Sequence, residues 1–154
     1  MADTFISGLA LRKLLLGIKV DKASFTLPAT ATGSLFTVTG GRILLTSIIG
    51  EVTTLVQTQA NNTKLISTPT TGTAVDMCVV LDITADEAGC LYGITGVPAT
   101  ALVGTNAGLT VQMYNYQIIP IGTIGLSCAA TNTGATKWSM TYIPIDDGAA
   151  VVAA

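Results

Sequence analysis

The stretch Lys137-Trp138-Ser139-Met140-Thr141-Tyr142-Ile143 alternates: Trp138, Met140 and Tyr142 share one side, and Lys137, Ser139 and Thr141 take the other. Period-two alternation of this kind marks a strand with one buried and one wet face. Toward the N-terminus the same character persists back to Ser24. Thr, Val and Ile dominate there, and β-branched residues fit a pleated sheet better than a helix. Turn residues punctuate the chain at Pro28, Gly33, Gly40-Gly41, Asn61-Asn62, Pro69 to Gly72, Gly89, Gly96 to Pro98, Gly104 to Gly108, Gly122 and Asn132 to Gly134. The punctuation predicts strands over Leu35–Thr39, Arg42–Ile49, Val52–Gln59, Lys64–Ser67, Ala74–Ile83, Cys90–Thr95, Leu109–Tyr114, Gln117–Ile121, Thr123–Ala130 and Lys137–Ile143. Short strands spaced by such signals predict an all-β domain, an antiparallel β-sandwich or jelly-roll-like fold. Gly40-Gly41 reads as a two-residue hairpin, because a type I′ turn needs positive φ at both positions. Ile43–Ile49 is apolar on both faces and therefore needs cover from a helix, a second sheet or another subunit.

Charge is scarce. The 154 residues include seven Lys or Arg, nine Asp or Glu and no His, a charged fraction of 10%, where an ordinary soluble domain has about 25%. Mean hydropathy is +0.63. A monomer normally uses surface charge to keep its neighbours apart. No run supplies the roughly 18 apolar residues of a spanning helix. The reading is a protein that covers its surface with copies of itself and its partners, with no membrane association. A formal charge of −2 gives no basic footprint for nucleic acid.

Residues 1–22 differ from the rest and are read as an N-terminal arm or amphipathic helix, with residues 23–154 as the sandwich domain. Four of the seven basic residues lie there: Arg12, Lys13, Lys19 and Lys22. Leu11, Leu14, Leu15 and Ile18 recur at the spacing of one helical face, which predicts a helix within residues 4–20, capped by Asp3 or Thr4. Gly8 and Gly17 oppose it by about 1 kcal/mol each. These eight apolar and basic residues form the candidate partner-docking set. Arg12 and Lys13 interrupt the apolar run, unlike the layout of a secretion signal.

Catalytic machinery is sparse in the sequence. Without His no Ser-His or Cys-His pair forms, and no side chain has an ordinary pKa near neutrality. No P-loop, GxGxxG or GxSxG motif occurs, so neither catalysis nor a cofactor is expected. Cys78, Cys90 and Cys128 are odd in number and lack CxxC spacing, which predicts buried, reduced, passive thiols. Asp82, Asp86 and Glu87 cluster near a turn but lack the alternation of a calcium loop; Asp146-Asp147-Gly148 reads as a turn and Asp86-Glu87 as a solvated loop. Asp76 and Asp82 are placed at the two ends of one strand. Asn61-Asn62-Thr63 matches a glycosylation sequon but reads as an Asn-rich turn. Tyr114, Tyr116 and Trp138 are weighed as a sugar-binding face and assigned to core packing, because aromatics are only 5% of the chain.

Two runs carry a family resemblance: Gly41-Arg42-Ile43-Leu44-Leu45-Thr46-Ser47-Ile48-Ile49-Gly50-Glu51-Val52-Thr53-Thr54, and Lys137-Trp138-Ser139-Met140-Thr141-Tyr142-Ile143-Pro144-Ile145-Asp146-Asp147-Gly148-Ala149-Ala150-Val151. They resemble small virion proteins of tailed bacteriophages, in particular head decoration (cement) proteins. The resemblance covers most of residues 35–153 and leaves residues 1–22 outside. It implies a structural protein assembled in the host cytoplasm and placed on the capsid surface, trimeric, with the major capsid protein as partner. A tail or baseplate component and a host-surface or carbohydrate-binding module are the alternatives. The resemblance transfers no functional residue.

Overall fold

The run Lys137–Ile143 lies inside a ten-residue strand at the centre of one of two antiparallel sheets. The computed structural model describes residues 6–104 and 106–154. In chain order the elements are α1 (Gly8–Leu16), β1 (Ile18–Thr26), β2 (Thr32–Thr39), β3 (Ile43–Thr54), β4 (Asn62–Pro69), β5 (Val75–Asp76), β6 (Leu81–Asp82), β7 (Leu91–Gly93), β8 (Gln117–Ile119), β9 (Gly122–Cys128), β10 (Ala135–Pro144) and β11 (Ala150–Ala153). The first sheet runs β1-β10-β3-β7, with β8 also on β3; the second runs β11-β2-β9-β4-β5, with β6 also on β4. The chain passes repeatedly from one sheet to the other, and the two inner faces pack as an all-β sandwich.

The core follows the alternation of the sequence. Trp138, Met140 and Tyr142 are buried, and Leu45, Ile48 and Val52 of β3 join them; Phe36, Val38, Leu65, Ile124 and Leu126 come from the second sheet. Leu35 and Phe36 are adjacent yet both buried, because the β2–β9 register shifts between Ser34 and Phe36 and a bulge of this kind re-aims a side chain. Gly50 of β3 lies between its cross-strand partners Trp138 and Tyr92. A Cβ at Gly50 would come within 2.7 Å of the indole. The two aromatic rings stack with centroids 6.3 Å apart.

Several boundaries depart from expectation. The two strands expected at Arg42–Ile49 and Val52–Gln59 merge into the single strand β3, which stops at Thr54 and leaves residues 55–59 outside any strand; Gly50 makes room for Trp138 rather than ending a strand. Gly40-Gly41 is not a hairpin, since β2 and β3 belong to different sheets. Gly40 has φ 73°, and a Cβ there would meet the Gly148 carbonyl oxygen at 2.1 Å, so this corner needs glycine for its packing. Ala74–Ile83 yields only β5 and β6, both on β4; Asp76 and Asp82 sit in different strands, with Met77 and Cys78 buried between them. Leu109–Tyr114 forms no strand, and β11 was not foreseen.

The helix is shorter than the period suggested. Gly17 ends it with φ 88°, in a place where a Cβ would lie 2.1 Å from the Tyr142 carbonyl oxygen. Ile18, Lys19 and Lys22 therefore belong to β1, which pairs with β10 from Ile18↔Tyr142 onward. The cap is Ser7, whose Oγ accepts from Ala10 N at 3.2 Å; Asp3 and Thr4 lie outside the described residues.

Candidate functional site

α1 sits on the first sheet by its C-terminal end. Thr46 Oγ1 donates to the Leu16 carbonyl at 2.5 Å and lies 2.7 Å from Thr141 Oγ1. Thr46 and Thr141 are buried there, Thr46 completely. No residue of α1 is itself buried. Leu14 is 72% exposed, and Ile6, Leu9, Leu11 and Leu15 are exposed as well. A groove runs between Leu11, Arg12, Leu15 and Leu16 on one side and Gln112 and Tyr116 on the other. The segment that supplies the second wall exposes Leu109, Val111, Tyr114, Tyr116 and Ile118. Tyr114 and Tyr116 therefore do not join Trp138 in the core as expected. Leu109–Ile118 lacks alternation in the sequence, and no other signal marks it as surface.

The helix and its neighbouring segment thus form an apolar face of a kind that monomers rarely leave bare. Arg12 adds polarity to it: the guanidinium Nη1 is shielded from solvent and has no hydrogen-bond partner. Of the eight candidate docking residues, Leu11, Arg12, Lys13, Leu14 and Leu15 are gathered on α1. Ile18, Lys19 and Lys22 stand on β1, a sheet edge, where Lys19 pairs with Asp21 at 2.7 Å. Lys22 bonds the Ala154 carbonyl oxygen, its ammonium 5.6 Å from the centre of the Phe25 ring.

Nearly all other charges are engaged. Lys137 meets Glu51 at 2.9 Å and Lys64 meets Asp76 at 2.6 Å. Arg42 grips Asp146 with two side-chain bonds of 2.9 and 2.7 Å and a backbone N–H at 2.7 Å. Bidentate geometry of this kind is the stronger form of ion pair. The bonds from Arg42 hold the Asp146 carboxyl well below the usual carboxylate range and raise the guanidinium in turn. Asp146-Asp147-Gly148 is the turn expected, with this clamp added.

Two acidic residues of the cluster at 82–87 organise their surroundings. Asp82 Oδ1 accepts from the Thr84 hydroxyl at 2.6 Å, Asn61 N at 2.8 Å and Thr84 N at 3.1 Å. The Thr84 hydroxyl bond first, then the Asn61 N–H, lower its pKa. Asp86 is buried, correcting the solvated-loop reading; it accepts from Tyr92 Oη at 2.6 Å and Asn106 N at 3.0 Å. Burial first, and the bond to Asp86 second, push the Tyr92 phenol far above its ordinary value. Asn61 is likewise buried rather than in an open turn, with Oδ1 accepting from Ala129 N and Ala130 N at 3.0 and 3.1 Å.

The three cysteines are free and buried, as the spacing predicted. Burial raises the thiols of Cys78 and Cys128. Among the described residues, no three Cys, Asp or Glu side chains gather to hold a metal ion, and no helix is long and apolar enough to cross a membrane. Compared with protein-family models, curated proteins and solved structures, the chain matches none.

Proposed function

We propose that this chain is a structural virion protein of a tailed bacteriophage, a head decoration protein that bridges major capsid subunits. In this reading it assembles in the host cytoplasm as a trimer, takes its place on the capsid surface and performs no catalysis. The observation that carries the reading is the apolar face of α1 and Leu109–Ile118, left bare by a chain with little charge. The resemblance of residues 35–153 to phage virion proteins supplies the setting. The mechanism is mechanical. Apolar and backbone contacts at such a face bind adjacent lattice subunits together, and the paired charges on the remaining surface keep it soluble.

The test is a reconstruction of the native particle with a count of copies per particle. Density over the head lattice, at a copy number set by the lattice sites, is the expected result. Density confined to the tail would move the protein to the tail or baseplate, and absence from particles would overturn the reading. Binding of the isolated chain to host glycans would instead support a recognition module.

A further inference from the structure

We infer that α1 and its Leu109–Ile118 wall dock onto a second copy of this chain in a head-to-tail contact, with Arg12 and Lys13 meeting an unpaired carboxylate of that copy, Glu87 or Asp147. The inference deepens the assembly reading above and rests on it for the closing of the ring.

Four observations lead here. First, α1 has nine residues and buries none of them within its own chain. A helix shorter than about 12–15 residues is marginal in water unless a packed face holds it. Second, most charged side chains outside α1 are engaged, Asp82 and Asp86 by neutral donors and the others as follows. Lys19, Arg42, Lys64 and Lys137 have carboxylate partners, and Lys22 has Ala154. The side chains of Arg12 and Lys13 have no ion-pair or hydrogen-bond partner among the described residues, and neither do the carboxylates of Glu87 and Asp147. Among the described residues this leaves two unpartnered cationic side chains on one apolar helix and two unpartnered, exposed carboxylates on other loops.

Third, each of these carboxylates has an exposed apolar neighbour. Leu55 adjoins the turn of Glu87, through the Val56 N–H bonded to the Asp86 carbonyl at 3.0 Å. Ile145 lies two residues before Asp147. Fourth, two other routes to self-association are disfavoured. A two-fold contact through α1 sets Arg12 and Lys13 against their own copies, with no acid among the described residues of the patch, and like charges across an interface are repulsive. The free edge of β1 carries Lys19, Asp21 and Lys22 and a register shift between Lys22 and Phe25, devices that discourage edge pairing. A heterologous contact avoids both obstacles and closes into a ring when its rotation allows.

The test is sedimentation velocity on the purified full chain over roughly 1–100 µM. The wild type should be a closed oligomer. Leu9→Ser with Leu14→Ser, and separately Arg12→Glu with Lys13→Glu, should weaken association about tenfold or more. The far-UV circular dichroism of the β-domain should not change, because no residue of α1 belongs to the buried core. Adding Glu87→Lys or Asp147→Lys to the Arg12→Glu, Lys13→Glu chain should restore assembly. A wild type that stays monomeric, helix variants that assemble like the wild type, or failure of both charge swaps would each overturn the inference. So would a monomer that sediments with phosphatidylglycerol vesicles through α1, since the occupant would then be a lipid surface. A monomer that still binds phage heads would sink this contact and leave the virion reading standing; a ring found on no particle would do the reverse.

Discussion

Replacing Gly50 by Ala sets two effects of opposite sign against each other. Gly50 does not have positive φ, so alanine fits the backbone, and the loss of chain entropy in the unfolded state favours it by about 0.4–1 kcal/mol. Against this, the added methyl would lie 2.7–2.8 Å from three atoms of the Trp138 ring. The indole cannot retreat easily, being 2% exposed, stacked on Tyr92 and tied through Nε1 to Thr136 Oγ1 at 3.1 Å. Overpacking of a filled core costs about 1–3 kcal/mol, so packing wins and Gly50→Ala should destabilise by about 1–2 kcal/mol. For a chain of this size that is a fall in Tm of about 2–8 °C. Urea unfolding at fixed protomer concentration measures it, since an assembling protein has concentration-dependent stability. A double-mutant cycle then identifies the cause. In a Trp138→Phe background the crowding ring atoms are gone, so Gly50→Ala should cost little or stabilise, with a coupling of about 1 kcal/mol or more. A neutral or stabilising Gly50→Ala in the wild-type background would refute the reasoning. Equal costs in both backgrounds would place the clash somewhere other than Trp138.

Tyr92→Phe should destabilise by about 1–3 kcal/mol by leaving the buried Asp86 carboxylate short of a donor, read as a lower urea midpoint with an unchanged slope. Because the folded Tyr92 phenol titrates above its unfolded value, its contribution is complete below about pH 10 and is lost as pH rises; absorbance at 295 nm should show this tyrosine ionising only together with unfolding. For Asp146, whose folded pKa is depressed, the sign is opposite. The stability gap between wild type and Asp146→Asn should be constant above the unfolded carboxylate pKa of about 3.9 and close as pH falls below it, and it should shrink in high salt because the pair is exposed. A gap unchanged at pH 2 would contradict this. Cys78, Cys90 and Cys128 should be inert to a thiol reagent in the native state and react on unfolding, and replacing each by Ala should cost about 1–3 kcal/mol.

The sequence was most legible where period and burial agree. Lys137–Ile143 alternates because one face of β10 meets the core, and both the strand and its buried set were readable from seven letters. Local signals misled where a distant contact decides the structure. Gly50 looked like a strand end, but the ring that requires it is 88 positions away in the chain, at Trp138. Ile18 completed a helical stripe by position alone; Gly17 and the pairing with β10 assign it to a strand. Asp86 looked solvated among acidic neighbours, and its burial depends on Tyr92 and Asn106 reaching it. For the docking face, the helical half was visible as a stripe with two cations. Its other wall was not, because Leu109–Ile118 is an irregular segment whose exposure has no period.

The pairing of β1 with β10 also bears on how the chain comes to be made. Ile18 finds its partner at Tyr142, and Lys22 closes onto Ala154 at the other terminus. As the protein leaves the ribosome, its first strand has no neighbour until Ala135–Pro144 have emerged, and the apolar α1 waits with it. Strand pairings this far apart in sequence close slowly, because the loop entropy is lost before any contact compensates it. The first sheet is thus completed only after β10 has emerged, and until then the exposed apolar side chains of α1 have no sheet beneath them.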